Sequence, residues 1–459
     1  MSKSKRHTRI ACAIGTSLAL LLVACSSDSK GASTSTSTTK APAASSDVPA
    51  ASSDIPAASS DIPLSSSDIP AASSDIPAAS SDIPAASSDI PLSSSDIPAT
   101  KALTTLGAGE GALNIIVWAG YAENGSDDPK VDWVTPFEKD TGCKVNVKIG
   151  NTSDEMVQLM QTGEYDGVSA SGDATTRLID GGEVSPVNTD LIPNYADVFD
   201  QLKLQPWNSK GGVPYGVPHG RGANLLVYNT EAFPKAPDSL AVMFDKTAAG
   251  SAAGKLSVYD SPIYIADAAL YLMSTKPELK ITNPYALDQK QFDAAIALLK
   301  AQKALTSQYW SLYTDQQTAL DSGTVLAGSS WQVIVGLAKT DGAKIAAVKT
   351  KEGATGWSDT WMISSKAKHP NCMYMWMNHI ISPEANAAVA QWFGEAPSNS
   401  KSCALAAAGF CDSYHAADDK YWKDVWYWTT ATAKCLDGRT DVKCVPYSAW
   451  VNAWTELRA

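Results

Sequence analysis

A seven-residue repeat with proline in every unit occupies residues 41–99 and sets the first limit on how this chain folds. Its usual form is Ala-Ala-Ser-Ser-Asp-Ile-Pro, and its aspartates recur every seven positions from Asp47 to Asp96. A heptad period is typical of coiled coils, but each proline removes a helical hydrogen bond and clashes with the preceding turn. Isolated Ile, Val or Leu side chains bury too little surface to offset the entropy of ordering. We therefore predict a disordered spacer over residues 25–111 and a folded body downstream.

The chain has 459 residues, a length that suggests two or three structural units. The composition places the hydrophobic core in the C-terminal part. All fourteen tryptophans lie at or after Trp118. Residues 112–459 hold 38 acidic and 29 basic side chains, so the net charge of the body is about −9. An acidic body does not attract nucleic acids or anionic lipids. Small molecules are therefore the expected partners, and no nucleic acid is expected.

The first 24 residues are typical of an export signal. Basic residues between Lys3 and Arg9 precede an apolar run over residues 10–24 that is short for a membrane-spanning helix. The sequence Leu-Val-Ala-Cys ending at Cys25 resembles the bacterial lipobox, in which the signal is cleaved before the cysteine and its sulfur is lipidated. We expect an exported protein, anchored through lipid at the outer face of the cytoplasmic membrane or in the periplasmic space. The alternative is a signal peptide that happens to contain a cysteine.

Six cysteines remain after Cys12, in the signal, and Cys25 are set aside. An even number in an exported chain favours disulfides over metal ligation, and we expect neither a metal nor a cofactor. No Cys-x-x-Cys motif occurs, which argues against a thiol redox catalyst or a zinc ribbon. Fifteen pairings are possible. The simplest joins close neighbours in sequence, Cys403 with Cys411 and Cys435 with Cys444. It leaves Cys143 with Cys372, a long-range bridge that requires both cysteines to lie in the same lobe of the fold.

From Leu113 onward the sequence alternates between strand and helix patterns. Residues 113–118 are typical of a buried strand, 131–141 of an amphipathic helix and 144–149 of an alternating strand. Residues 151–155 predict the start of another helix, with acidic residues in its first turn. A strand, a helix and a strand within about forty residues indicate a parallel sheet and the α/β class.

Short segments of the body also resemble a known family and occur in that family's order. They are residues 117–121 (VWAGY), 137–145 (FEKDTGCKV), 165–168 (YDGV), 213–218 (VPYGVP), 222–229 (GANLLVYN), 254–256 (GKL), 330–331 (SW), 351–353 (KEG), 357–360 (WSDT), 381–385 (ISPEA) and 453–455 (AWT). Together they resemble the type II periplasmic solute-binding proteins of ABC importers, and among these the spermidine/putrescine-binding branch.

This resemblance implies two α/β lobes, joined by hinge strands, that close on a ligand in the cleft between them. The first lobe would comprise residues 112–219 and 346–400, and the second residues 220–345 and 401–459. The ligand stabilises the closed form by contacting both lobes, and a membrane permease then recognises that form. The division puts both partners of the long-range disulfide in the first lobe, which supports that pairing. The family default is a monomer.

The resemblance also implies which residues hold a ligand. Aromatic faces attract an ammonium group and cover methylenes, and carboxylates accept charged hydrogen bonds. Carried over position by position, the ligand-binding candidates are Trp118, Tyr121, Trp331, Trp357 and Asp359. Four other tryptophans are expected in the core instead: Trp361, Trp376, Trp426 and Trp428.

Several positions depart from the polyamine binders. Tyr264 stands at a typically acidic site and leaves Asp260 as the acidic residue of its segment, and Glu395 stands where an aromatic residue is common. Arg221 replaces a frequent Trp and would repel the second ammonium of a diamine, so a zwitterion or an amine-bearing acid fits better. Alternatively, Arg221 forms a structural salt bridge with Asp173 or another acid. We include four of these residues among the ligand-binding candidates: Asp173, Arg221, Asp260 and Tyr264.

Catalytic motifs are missing from the sequence. Residues 250–255 are one residue short of a phosphate loop and lack its final Ser or Thr, and neither Gly-x-Ser-x-Gly nor His-Glu-x-x-His occurs. We therefore predict a non-enzyme, the substrate-binding lipoprotein of an ABC importer for a polyamine or related amine-bearing solute. The alternatives are a receptor for a zwitterion or amino acid, and a cell-surface adhesin or scaffold that uses the long spacer.

Overall fold

A computed structural model describes residues 101–459. The predicted signal peptide, the lipidation of Cys25 and the heptad repeats lie outside these residues. The β-strands of the described region are β1 Ala112–Val117, β2 Lys144–Ile149, β3 Gly167–Ala170, β4 Ser209–Lys210, β5 Val213–Pro214, β6 Gly216–Pro218, β7 Gly220–Asn229, β8 Leu256–Tyr259, β9 Thr306–Trp310, β10 Ala327–Trp331, β11 Ile345–Val348, β12 Ala354–Trp357, β13 Thr360–Ile363, β14 Ala396–Pro397 and β15 Val425–Tyr427.

The α-helices connect and cover these strands. Among residues 101–459, none is long and apolar enough to cross a bilayer. The helices are α1 Val134–Thr141, α2 Ser153–Gln161, α3 Gly172–Asp180, α4 Ala241–Phe244, α5 Lys246–Ala249, α6 Ile265–Thr275, α7 Gln289–Gln302, α8 Tyr313–Asp321, α9 Gln332–Thr340, α10 Pro370–Ile380, α11 Pro383–Phe393, α12 Phe410–Ser413, α13 Asp419–Trp422 and α14 Tyr447–Arg458.

The first sheet has the strand order β2-β1-β3-β13-β6. β1 runs parallel to β2 and β3, whereas β13 is antiparallel to β3 and β6. The predicted strands at 113–118 and 144–149 are confirmed as β1 and β2, with α1 between them. Trp361 and Trp376 are fully buried in the core of this sheet, as expected.

The second sheet has the order β15-β12-β7-β10-β8-β9, and β11 and β14 also pair with the long β7. β7 is antiparallel to β10, β11, β12 and β14. Helix α14 adds Trp450 and Trp454 to the core on this sheet. The last helix of the chain therefore packs with the second sheet.

The chain crosses between the two sheets at three places. It passes from β6 to β7 at His219, from β12 back to β13 through Ser358 and Asp359, and from α11 to β14 through Gly394 and Glu395. The first two crossings lie side by side, since β6 pairs with β13 and β7 with β12.

The return to the first sheet comes later than residue 346, where the sequence analysis places it. β11 and β12 both pair with β7, so residues 345–357 extend the second sheet. The sequence does not show this pairing, because a strand pattern does not tell which neighbouring strand a segment pairs with. The division into lobes stays a prediction.

Residues 101–111 also differ from the expected spacer, because they pack on the folded body. The Glu110 carboxylate accepts the backbone amides of Asn371 and Cys372 at the start of α10, each at 2.9 Å. The Asn188 side chain donates to the carbonyl of Leu103 at 3.1 Å. The two Glu110 hydrogen bonds satisfy otherwise unpaired amides in the first turn of α10, which a composition argument does not detect.

Three disulfides stabilise the body with the expected pairing. The long-range bridge is fully buried and joins the segment before β2 to α10. The two local bridges close loops after α11 and before α14. The pairs are Cys143 with Cys372, Cys403 with Cys411, and Cys435 with Cys444.

Candidate ligand-binding site

A small cavity lies where strands of both sheets end. Trp118 directly follows β1, and Trp331 and Trp357 are the last residues of β10 and β12. The carboxyl ends of strands are where open α/β sheets bind ligands. The cavity volume is about 10 Å³, close to the space of one water molecule. We call it the aromatic cavity, and its walls are Trp118, Ser171, Trp331, Trp357, Asp359, Phe393 and Trp428.

Aromatic rings from different parts of the fold meet at this cavity. Trp118 after the first sheet and Trp331 of the second contact edge to face, with ring centroids 6.1 Å apart. Trp357 and Phe393 form a similar pair at 6.0 Å. The ring centroids of Trp310 and Trp331 lie 4.9 Å apart in an edge-to-face contact, so Trp310 restrains the Trp331 ring. Such rings attract a cation with their faces and cover apolar methylenes, which suits an aliphatic amine.

Asp359 is the acidic wall of the aromatic cavity and is 3% exposed. Its carboxylate accepts Ser171 Oγ at 2.5 Å and the Tyr121 hydroxyl at 2.7 Å. Burial raises the pKa of Asp359 to about 6, although these two hydrogen bonds favour the ionised form. Its negative charge has no cationic side chain beside it among the described salt bridges. An ammonium group in the cavity would supply that missing charge.

A second buried carboxylate lies behind Asp359. Tyr121 is also 3.2 Å from Glu395, whose other oxygen lies 3.3 Å from His219 Nε2. Trp361 Nε1 donates to His219 Nδ1 at 2.9 Å. Burial, and then the charge of Asp359, raise the pKa of Glu395 well above its usual value. Burial lowers the pKa of His219 to about 3.

Comparison with known proteins identifies the family. The sequence profile of the bacterial extracellular solute-binding proteins matches residues 132–417. The chain belongs to this family.

Curated relatives of this solute-binding protein include the spermidine/putrescine-binding periplasmic protein of Escherichia coli (strain K12). It is 23% identical over 296 residues, which cover 62% of this chain and 81% of the relative. The Putrescine/agmatine-binding protein of Pseudomonas aeruginosa is 21% identical over 318 residues, which cover 64% and 83%.

Solved structures establish the fold of this solute-binding protein. The spermidine/putrescine ABC transporter substrate-binding protein PotD of Streptococcus pneumoniae superposes with a TM-score of 0.59 at 15% identity, covering 76% of this chain and 97% of that one. The fold is therefore the two-lobed α/β fold of type II periplasmic binding proteins, as the sequence segments imply.

The structure brings five of the predicted ligand residues together. Four of them line the aromatic cavity, and the Tyr121 hydroxyl holds Asp359 from behind. Their part in binding stays a prediction. The four that line the cavity are Trp118, Trp331, Trp357 and Asp359.

Arg221 does not line the aromatic cavity and has no carboxylate partner among the described salt bridges. Its side chain is fully buried, donates to the carbonyl of Ala416 at 2.8 Å and lies 4.3 Å over the ring of Trp422. It also donates to the Tyr427 hydroxyl at 3.3 Å. The expected ion pair with Asp173 is therefore absent from the described residues.

The other three candidates have partners outside the aromatic cavity. Asp173 is buried and accepts Ser153 Oγ at 3.0 Å. Asp260 forms an ion pair with Arg458 at 3.1 Å, and Tyr264 is buried in the core of the second sheet. None of the three lies at the wall of the aromatic cavity, so their positions do not support a role in ligand binding.

Sequence reasoning missed several residues of the site. Trp428 is buried as expected but also lines the cavity, and Ser171 and Phe393 line it at the ends of helices α3 and α11. His219 and Glu395 lie at crossings between the sheets. The one usable signal was Glu395, a charged residue at a position where an aromatic is common.

Proposed function

We propose that this solute-binding protein captures a small amine-bearing solute, such as a polyamine, in the aromatic cavity and delivers it to the permease of an ABC importer. The observation that supports it best is Asp359, a buried carboxylate that has no cationic partner among residues 101–459 and is surrounded by tryptophan rings. A carboxylate and aromatic faces are complementary to an ammonium group. The curated relatives with polyamine names support the same solute class.

Capture by closure is part of this proposal. The cavity walls come from both sheets, so a ligand that contacts all of them favours the closed arrangement. The crossings at His219 and at Ser358–Asp359 lie side by side and are suited to act as the hinge. With a volume of about 10 Å³ the cavity has room for about one water molecule, so its walls must move apart to admit a solute and close again around it.

A second candidate solute is a zwitterion, such as γ-aminobutyrate or a betaine. Within the described part of the chain, three indole N–H groups at the cavity walls have no hydrogen-bond partner, those of Trp118, Trp357 and Trp428. A ligand carboxylate could accept hydrogen bonds there while its amine lies at Asp359. Arg221, which the sequence analysis links to this alternative, does not line the cavity.

Export and lipid anchoring at Cys25 belong to the proposal as well. Their support is the N-terminal sequence and the extracellular or periplasmic location in the names of the family and the relatives. Labelling with palmitate should mark the wild-type protein and not a Cys25→Ser variant. Equal labelling of both would contradict the lipid anchor.

The direct test is titration calorimetry of the oxidised protein with putrescine, spermidine, cadaverine, γ-aminobutyrate and glycine betaine. Saturable binding of at least one of them is expected. Asp359→Asn should weaken amine binding by about 2–5 kcal/mol, because it leaves the ammonium without its counter-charge. Asp293→Asn, an exposed change on α7, is the matched control. The same affinity in wild type and Asp359→Asn would remove Asp359 from the site.

A further inference from the structure

His219 is neutral, and its hydrogen bonds fix which nitrogen holds the proton. Trp361 Nε1 is a donor only, so His219 Nδ1 must accept from it with a lone pair. The proton of His219 is therefore on Nε2, which lies 3.3 Å from Glu395 Oε1. Both atoms are buried and neither has a hydrogen-bond partner in the structure, the 3.3 Å contact between them included. Glu395 Oε1 is thus the natural acceptor for this N–H group.

Tyr121 has a single hydroxyl proton but two carboxylate neighbours. Its oxygen is 2.7 Å from Asp359 Oδ2 and 3.2 Å from Glu395 Oε2. The proton goes to the nearer Asp359, so a lone pair of Tyr121 faces Glu395. An ionised Glu395 would then face this lone pair and the charge of Asp359 inside the protein, which is costly.

We propose that Glu395 is a neutral carboxylic acid that donates its proton to Tyr121 and so positions the Tyr121 hydroxyl toward Asp359. The donors then run in one direction, from Trp361 through His219, Glu395 and Tyr121 to Asp359. We call this series the relay. With the proton on Glu395, each donor of the series faces an acceptor, at separations of 2.7 to 3.3 Å.

The neighbourhood of Glu395 agrees with a neutral acid. Gly220 leaves room for it, because a Cβ there would lie 2.4 Å from the Glu395 carboxyl carbon. The other titratable group beside this crossing is Tyr414, and its pKa is raised to about 12 by burial and by Glu395, so it stays a neutral phenol. Among the described salt bridges Glu395 contacts only His219, which is neutral, so no cation there balances a charge on Glu395.

The relay also limits the charge of the ligand. Since Glu395 is neutral and does not line the aromatic cavity, the Asp359 carboxylate is the one ionised group among the cavity walls. The site then favours one ammonium, which ranks a monoamine or zwitterion above a diamine of similar length. This step rests on the proposed function, whereas the protonation of Glu395 does not.

Infrared spectroscopy of the ligand-free protein tests the protonation. At pH 8 the wild type should retain the C=O band of a neutral carboxylic acid, and Glu395→Gln should lose it. Glu384→Gln, an exposed change on the neighbouring α11, should keep it. An unchanged spectrum in Glu395→Gln would overturn the proposal. If that variant does not fold, a wild-type protein labelled with ¹³C-glutamate should keep one protonated carboxyl resonance at pH 8, and its absence would overturn the proposal equally.

Rescue separates a positioning role from simple packing. With γ-aminobutyrate and putrescine as probes, Glu395→Leu should weaken binding about tenfold, the effect of one lost buried hydrogen bond. Glu395→Gln should restore most of this loss, because its amide can donate to Tyr121 and accept from His219. Equal loss in both variants would overturn the role of Glu395 as a neutral hydrogen-bond donor to Tyr121. If no probe binds even the wild type, the proposed function fails while the infrared result still decides the relay.

Discussion

The backbone amide of His219 donates to the carbonyl of Asp359 at 2.8 Å, where two chain segments cross between the sheets side by side. The backbone of Asp359, whose carboxylate faces the aromatic cavity, is thus hydrogen-bonded to the adjacent crossing at His219. A third crossing adds Glu395, which contacts His219 and Tyr121 through its carboxyl group. The site is therefore built on the segments that any movement between the sheets must deform.

Replacing Trp331 by leucine should weaken amine binding by about 0.5–2 kcal/mol, because one aromatic face is lost while apolar volume is partly kept. Calorimetry gives the affinity, and thermal unfolding of the free variant gives the cost in stability. Trp426→Leu is the matched control, since Trp426 is partly buried on β15 and does not line the cavity. An affinity loss of the same size in the control would show that the effect is not local.

Amine affinity should depend on pH through Asp359. Burial raises the pKa of this carboxyl to about 6, and an ammonium binds its ionised form. Below about pH 6 protonation competes with the ligand, so the dissociation constant should rise toward tenfold per pH unit. It should be nearly constant from pH 7 to 8. Calorimetry from pH 5 to 8 at fixed ionic strength checks this, and a flat profile would contradict it.

Asp267 should make the free protein less stable as the pH rises. It is buried on α6, accepts Thr355 Oγ1 at 3.0 Å, and burial raises its pKa to about 7. Because this folded-state pKa lies above the unfolded value, the stabilisation is full below about pH 4 and is lost as the pH rises through 7. The slope from one such group reaches about 1.4 kcal/mol per pH unit.

Asp267→Asn should therefore flatten the dependence of unfolding free energy on pH between 4 and 7. Urea unfolding at several pH values measures this. Asp293→Asn should leave the wild-type slope intact. Part of the slope should persist in Asp267→Asn, because burial also raises the pKa of Asp173 and Asp359 to about 6. Parallel curves for wild type and Asp267→Asn would rule out a raised pKa at this residue.

The long-range disulfide should stabilise the body more than a local one. Replacing Cys143 and Cys372 together by serine opens a loop with a sequence separation of 229, against 8 for Cys403 and Cys411. Loop-closure entropy grows with length, so the first double variant should lose about 2–5 kcal/mol and the second less. Urea unfolding under oxidising conditions compares them. A larger loss from the local pair would contradict the entropic account.

Much of the first sheet was predictable because its strands and helix have clear local patterns. Residues 113–118 and 144–149 are apolar or alternating runs, and both form strands at nearly the expected bounds. Trp118 and Asp359 could be assigned because short family segments fix them relative to strand ends. Local pattern and resemblance thus identified most walls of the aromatic cavity.

What the sequence could not provide is tertiary pairing. Arg221 lies on β7 like its neighbours, and only the packing of Trp422 and Tyr427 against it places its guanidinium away from the cavity. Glu395 and His219 are far apart in sequence and meet at separate crossings. Trp428 follows a three-residue strand too short to recognise by period.

The attachment of residues 101–111 has a mechanical consequence. Glu110 fastens this segment to the start of α10, and a Cβ on Gly109 would lie 2.6 Å from the Cys143 sulfur. A force on the chain upstream of residue 101 would therefore act first on α10 and on the Cys143–Cys372 disulfide, which pack on the first sheet. This force would not be transmitted through the crossings at His219, Asp359 or Glu395. If the chain upstream of residue 101 tethers the protein as proposed, tension on that tether would not act directly on the aromatic cavity.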